Sequence, residues 1–106
     1  MNHEEFAISL EKGHLRSKAL LLRKAKEYAG GESGTSSRLI QFYKLGIITN
    51  KNPQQCLVEL AAKHFSSICD MADRPDEYSK QQWREKITDL RNYTHLLDAL
   101  MEENWE

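Results

Sequence analysis

Apolar residues in this chain recur at three- and four-residue intervals with almost no strict alternation. Gly and Pro divide that pattern into blocks, so an all-α protein is expected. The first block predicts a helix over 4–29, with Gly13 as a kink or break, closed by Gly30-Gly31 and the polar stretch that follows. Ser36 or Ser37 then caps a short helix over 38–45 that Gly46 ends, and the partly apolar connector 47–51 is expected to pack back on the core. Asn52 followed by Pro53 opens a third helix over 53–71, because Asn caps well and Pro suits the first helical position. A turn containing Pro75 closes it, and Ser79 caps a last helix reaching about residue 103.

Placed at about 100° per residue, the last helix carries Trp83, Ile87, Leu90, Thr94, Leu97 and Met101 on one side, with Tyr93, Leu96 and Leu100 lying further round. The third helix turns Leu57, Leu60, Ala61, His64, Phe65, Ile68, Met71 and Ala72 to one broad side. Apolar arcs of about 180° are wider than one small domain covers alone. The expectation is therefore a single compact domain over 1–106, a bundle of about four helices that forms a homo-oligomer, most simply a two-fold dimer.

The 106 residues include 15 Lys+Arg and 16 Asp+Glu, a net charge of −1, so total charge offers no strong nucleic-acid signal. No apolar run approaches the roughly 20 residues that span a bilayer. The opening Met-Asn-His-Glu-Glu lacks the basic and apolar regions of a signal peptide, and a cytoplasmic protein with no membrane attachment is expected. Cys56 and Cys69 are too few and too far apart for a disulfide framework or paired zinc knuckles, and read as reduced core thiols. His3, His14, His64 and His95 lack zinc-ligand spacing, and His64, on the apolar side of its helix, reads as a hydrogen-bonded core histidine.

Charge distribution is more informative than its total. Glu85 and Asp89 stand one helical turn apart, and Asp89 lies at the margin of the apolar face, where a carboxylate needs a partner or a cation. Glu59 joins them if the third and last helices pack antiparallel, and three oxygen donors can begin a Mg²⁺ site completed by water and phosphates. The ordinary alternative is a set of exposed helix charges with a Glu59/Lys63 surface pair. Over 12–26 the chain carries basic residues and no acid; Lys12, Arg16, Arg23 and Lys26 fall within about 80° on a continuous helix, either as a solvated face or as a ladder for anions. The loop after them, rich in glycine and hydroxyls and ending at Arg38, suits a phosphate, although the GxxxxGK[ST] spacing is absent.

Four stretches together carry a family resemblance: Arg23-Lys-Ala-Lys-Glu-Tyr28-Ala29, Ser37-Arg38-Leu-Ile-Gln-Phe42, Glu59-Leu-Ala-Ala-Lys63-His64, and Trp83-Arg-Glu85-Lys-Ile-Thr-Asp89-Leu-Arg-Asn92-Tyr93. Over about residues 20–103 the chain resembles the MazG-like, all-α nucleotide pyrophosphatase type found in phages and prophages. Within that group it is most similar to the nucleotide modification associated domain 1 family. The resemblance implies an oligomeric helical bundle that binds a nucleotide phosphate through Mg²⁺ on helix-borne carboxylates, with Glu59, Glu85 and Asp89 as metal and catalytic ligands. Lys12, Arg16, Arg23, Lys26, Arg38, Lys63, Asn92 and Tyr93 are then the ligand contacts. Lys63 occupies a position where the family pattern has a further acid, so it is read as touching phosphate directly. Two other functions stay open: an oligomeric sponge for a nucleotide signal, using the same basic residues without a metal or turnover, and a small helical inhibitor that docks its wide apolar arc on a host defence protein.

Overall fold

The computed structural model describes residues 1–28 and 39–105, with side chains of the first segment described through Lys24. The described residues form four α-helices: α1 (His3–Tyr28), α2 (Ile40–Thr49), α3 (Pro53–Asp73) and α4 (Lys80–Asn104), with a 3-10 turn at Pro75–Glu77 between the last two. They assemble as an all-helical bundle measuring 43 × 30 × 28 Å.

Local chemistry accounts for the sharpest boundaries. Asn52 caps α3 through a reciprocal box: its side chain accepts from the Gln55 amide at 2.8 Å, and the Gln55 side chain accepts from the Asn52 amide at 3.0 Å. Ser79 and Gln82 repeat the arrangement at the start of α4. At the other end of α2 the helix continues past the expected stop at Gly46. Asn50 takes the left-handed conformation instead, φ 56°, and the amides of Asn50 and Lys51 both donate to the Gly46 carbonyl. The returning chain lies so close that a Cβ on Gly46 would stand 2.5 Å from the Lys51 carbonyl oxygen. Gly46 therefore admits the turn from inside the helix. As a result Ile47 and Ile48 lie in solvent, 83% and 79% exposed, and do not pack back on the core as expected.

The core is built where α2, α3 and α4 meet, around Phe42, Leu57, Leu96 and Leu100, with Leu39 beside them. Burying such side chains contributes about 1.5–3 kcal/mol each. On α4 the buried stripe is Thr88, Asn92, Leu96 and Leu100, a strict four-residue repeat; Ile87, Thr94 and Met101 of the expected main face are exposed. On α3 the buried strip is likewise narrower than the sequence suggested, leaving Phe65 and Ala72 exposed, and Cys69 is an exposed thiol whereas Cys56 is buried.

The helix α1 runs unbroken through Gly13 and packs against α4. Gly13 and Ser17 are buried beneath Arg91, whose guanidinium donates to the Gly13 carbonyl at 2.9 Å and to Ser17 Oγ at 3.1 Å. The Arg91 guanidinium occupies the space that a side chain at Gly13 would take, and the helix passes through the glycine without a break. Residues 1–12 are exposed throughout. No helix among the described residues is long and apolar enough to cross a membrane.

Candidate functional site

Three helices converge on a polar cleft whose volume is about 60 Å³. Asp89, Asn92, Tyr93 and Leu96 enter it from α4 at positions i, i+3, i+4 and i+7, one continuous face of the helix. His64 enters from α3, and Leu21 and Lys24 from α1. The α1 pair extends the stripe begun by Gly13 and Ser17, so the residues that let α1 approach α4 also deliver Lys24 to the cleft.

The polar atoms in this cleft are poorly satisfied. Asn92 is 6% exposed, yet its Oδ1 is buried without a hydrogen-bond partner among the described residues, and so is His64 Nδ1. Unpaired buried polar atoms cost about 1–3 kcal/mol each, and their persistence marks a place where something other than stability sets the residue. Asp89 Oδ2 is 3.9 Å from His64 Nδ1, beyond hydrogen-bonding reach. The His64 ring lies against Tyr93, with centroids 4.9 Å apart at 44°. His64 is thus half-buried, as its apolar position implied, but among the described residues Nδ1 does not have the hydrogen bond expected of a core histidine.

The other predicted carboxylates lie elsewhere. Glu59 accepts from Lys51 Nζ at 2.6 Å, across the corner between α2 and α3. This contact replaces the Glu59/Lys63 pair considered from the sequence, and the carboxylate holds the Lys51 ammonium above its ordinary pKa. Glu85 accepts from Gln81 Nε2 at 3.3 Å. It borders two outer clefts, one with Asp70 and Lys86 and the other with Arg16 and Arg84, while Asp89 one turn on opens into the central one. Among the described residues no group of three or more His, Cys, Asp or Glu side chains gathers to hold a metal ion. Glu59, Glu85 and Asp89 are thus not brought together in one such group within the described chain.

The basic residues are also distributed. Lys12, Arg16 and Arg23 are exposed on α1, and Arg16 shares an outer cleft with Arg84. Lys18 lines a different cleft with His14 and His95. Lys63 is exposed, and its neighbour His64 rather than Lys63 lines the central cleft. The Lys26 side chain, Arg38 and the expected anion loop at 30–37 lie outside the described residues.

Sequence reasoning selected Asp89, Asn92 and Tyr93 and missed His64 and Lys24. A usable signal existed for both: each lies on the buried-facing stripe of its helix while carrying a polar head. No family model, no curated relative and no solved structure matches this chain.

Proposed function

We propose that this protein is a MazG-like, phage-type protein that binds a nucleotide or nucleotide-derived phosphate ligand in the cleft between α1, α3 and α4. The observation carrying this reading is the cleft itself. Asp89, Asn92 and Tyr93, the run that bears the resemblance, line one cavity with His64 and Lys24, and two buried polar atoms there have no partner among the described residues. Lys24 supplies positive charge for a phosphate, and the ligand satisfies atoms that the protein leaves unpaired.

Binding is favoured over Mg²⁺-dependent hydrolysis, because Glu59 is engaged with Lys51 and Glu85 opens into other clefts. A non-catalytic nucleotide sponge is the form of the function that these contacts support. Self-association belongs to the proposal: Phe6, Ile8, Leu10, Leu15 and Leu22 of α1 are each exposed by about half in the single chain, more apolar surface than a helix on a small monomer usually presents. The same surface favours, as a second reading, docking on a host protein.

The deciding experiment is calorimetry and thermal unfolding with nucleoside mono-, di- and triphosphates, with and without Mg²⁺. A ligand that binds the native state raises the apparent melting temperature by mass action. Binding that persists in chelator supports the sponge; product formation that requires Mg²⁺ supports hydrolysis. No response to any nucleotide in either condition overturns the proposal and leaves the host-protein reading.

A further inference from the structure

We infer that the central cleft reads the hydrogen-bond-donating edge of an amino-bearing nucleobase, so that the base rather than the phosphate enters it. This rests on the nucleotide-binding reading and adds the chemistry of recognition. The buried atoms without a partner among the described residues are an amide oxygen, Asn92 Oδ1, and an imidazole nitrogen, His64 Nδ1, and the part-exposed Asp89 carboxylate lies beside them with Oδ2 3.9 Å from His64 Nδ1. With the His64 proton on Nε2 all three are acceptors, and a ligand group that satisfies them has to donate.

Size and wall chemistry narrow the occupant. A cavity of about 60 Å³ holds the edge of a ring and not a whole nucleotide. Tyr93, Leu21 and Leu96 provide apolar walls suited to a flat heterocycle. A phosphate there would meet three acceptors, one of them the charged Asp89 carboxylate, with no hydrogen to offer them. A divalent cation would share the cleft with Lys24, and like charges in a partly buried site repel strongly. An amino-bearing edge meets neither objection: its N–H groups donate to Asp89 and Asn92, its ring lies between apolar walls, and its phosphate extends toward Lys24 on α1.

The test compares the monophosphates of cytidine, adenosine and guanosine with those of uridine and thymidine by calorimetry on the full chain, in wild type, Asp89→Asn and Asn92→Leu. The amino-bearing bases are expected to bind about tenfold more tightly or better, since a site built to receive donors rejects analogues that lack them. Asp89→Asn, which keeps the shape and removes the charge, is expected to bring that ratio close to one while helical content is unchanged. Asn92→Leu removes an acceptor without adding a polar atom and is expected to reduce the same ratio, so a folding defect in one variant leaves the other as the check. Nucleotides that bind without this preference, or with a preference unaltered in both variants, overturn the base-edge assignment and leave nucleotide binding standing. Mg²⁺ or Mn²⁺ binding alone, lost in Asp89→Asn, would show a cation site and overturn it as well. No binding of any nucleotide removes both readings together.

Discussion

The Arg91 guanidinium lies over Gly13 so closely that a Cβ there would be 2.9 Å from Nη1. This contact, with the hydrogen bonds to the Gly13 carbonyl and Ser17, clamps α1 onto α4 and sets where Lys24 falls. Gly13→Ala gains about 1 kcal/mol of helix propensity, whereas displacing a part-buried, charged donor costs about 1.5–3 kcal/mol. The substitution is expected to destabilise the wild type by about 1 kcal/mol and to stabilise an Arg91→Met background by a similar amount. Equilibrium urea unfolding of the four proteins in this cycle measures the coupling. A zero coupling energy would show that the clamp contributes nothing.

Asn92 sets stability against binding. Replacing it by Leu, which has the same number and branching of side-chain heavy atoms, removes a buried acceptor that has no partner among the described residues and is expected to raise the melting temperature by several degrees. The nucleotide-induced shift is expected to fall or vanish in the same protein. An unchanged nucleotide shift in Asn92→Leu would separate this residue from binding.

Glu59→Gln breaks the ion pair with Lys51 and is expected to return the Lys51 ammonium to its ordinary range near 10.5, observable by NMR titration. The sign follows from a folded pKa raised above the unfolded one: whatever stability the pair contributes is present below the unfolded pKa and lost as pH rises through the folded value. Nucleotide affinity in Mg²⁺ and in chelator is expected to match wild type. A Mg²⁺ response abolished by this change would restore Glu59 to a metal-binding role.

Gly46→Ala is expected to cost about 1–3 kcal/mol by forcing apart packed backbone, because the obstructing atom is the Lys51 carbonyl and not a movable side chain tip. Denaturant unfolding measures it. Asn50→Gly, relieving the left-handed residue that ends α2, is expected to be neutral or stabilising by a few tenths of a kcal/mol. Equal stability of Gly46→Ala and wild type would mean that the turn reforms elsewhere.

Self-association through α1 is tested by Leu15→Glu combined with Leu22→Glu, two exposed positions seven residues apart on one face. Sedimentation is expected to show the wild type as an oligomer and the variant as a monomer with unchanged helicity. A wild-type monomer across micromolar concentrations removes the oligomer from the proposal.

Helix positions were legible because they depend on neighbours in sequence. The Asn52-Pro53 and Ser79 starts act within one turn of backbone, and both appear with complete capping boxes. Gly13 and Gly46 both look like local breakers, yet both lie within helices: the space at Gly13 is filled by Arg91, 78 residues on, and that at Gly46 by the Lys51 carbonyl of the turn that follows α2. The broad apolar arcs on α3 and α4, from which an oligomer is expected, do not coincide with what the fold buries: the stripe that is buried on α4 includes Thr88 and Asn92. Hydropathy assigns those two outward.

By itself, then, the sequence determined the all-α character, the order of the helices, the caps of α3 and α4 and the grouping of Asp89, Asn92 and Tyr93 on one face, since all of these follow from spacing along a helix. Tertiary structure alone decided which carboxylates are free and which cations meet them. The azimuth of one helix against another is set by packing of distant residues. That packing sends Glu59 to Lys51, turns Glu85 outward, and brings His64 and Lys24 to Asp89.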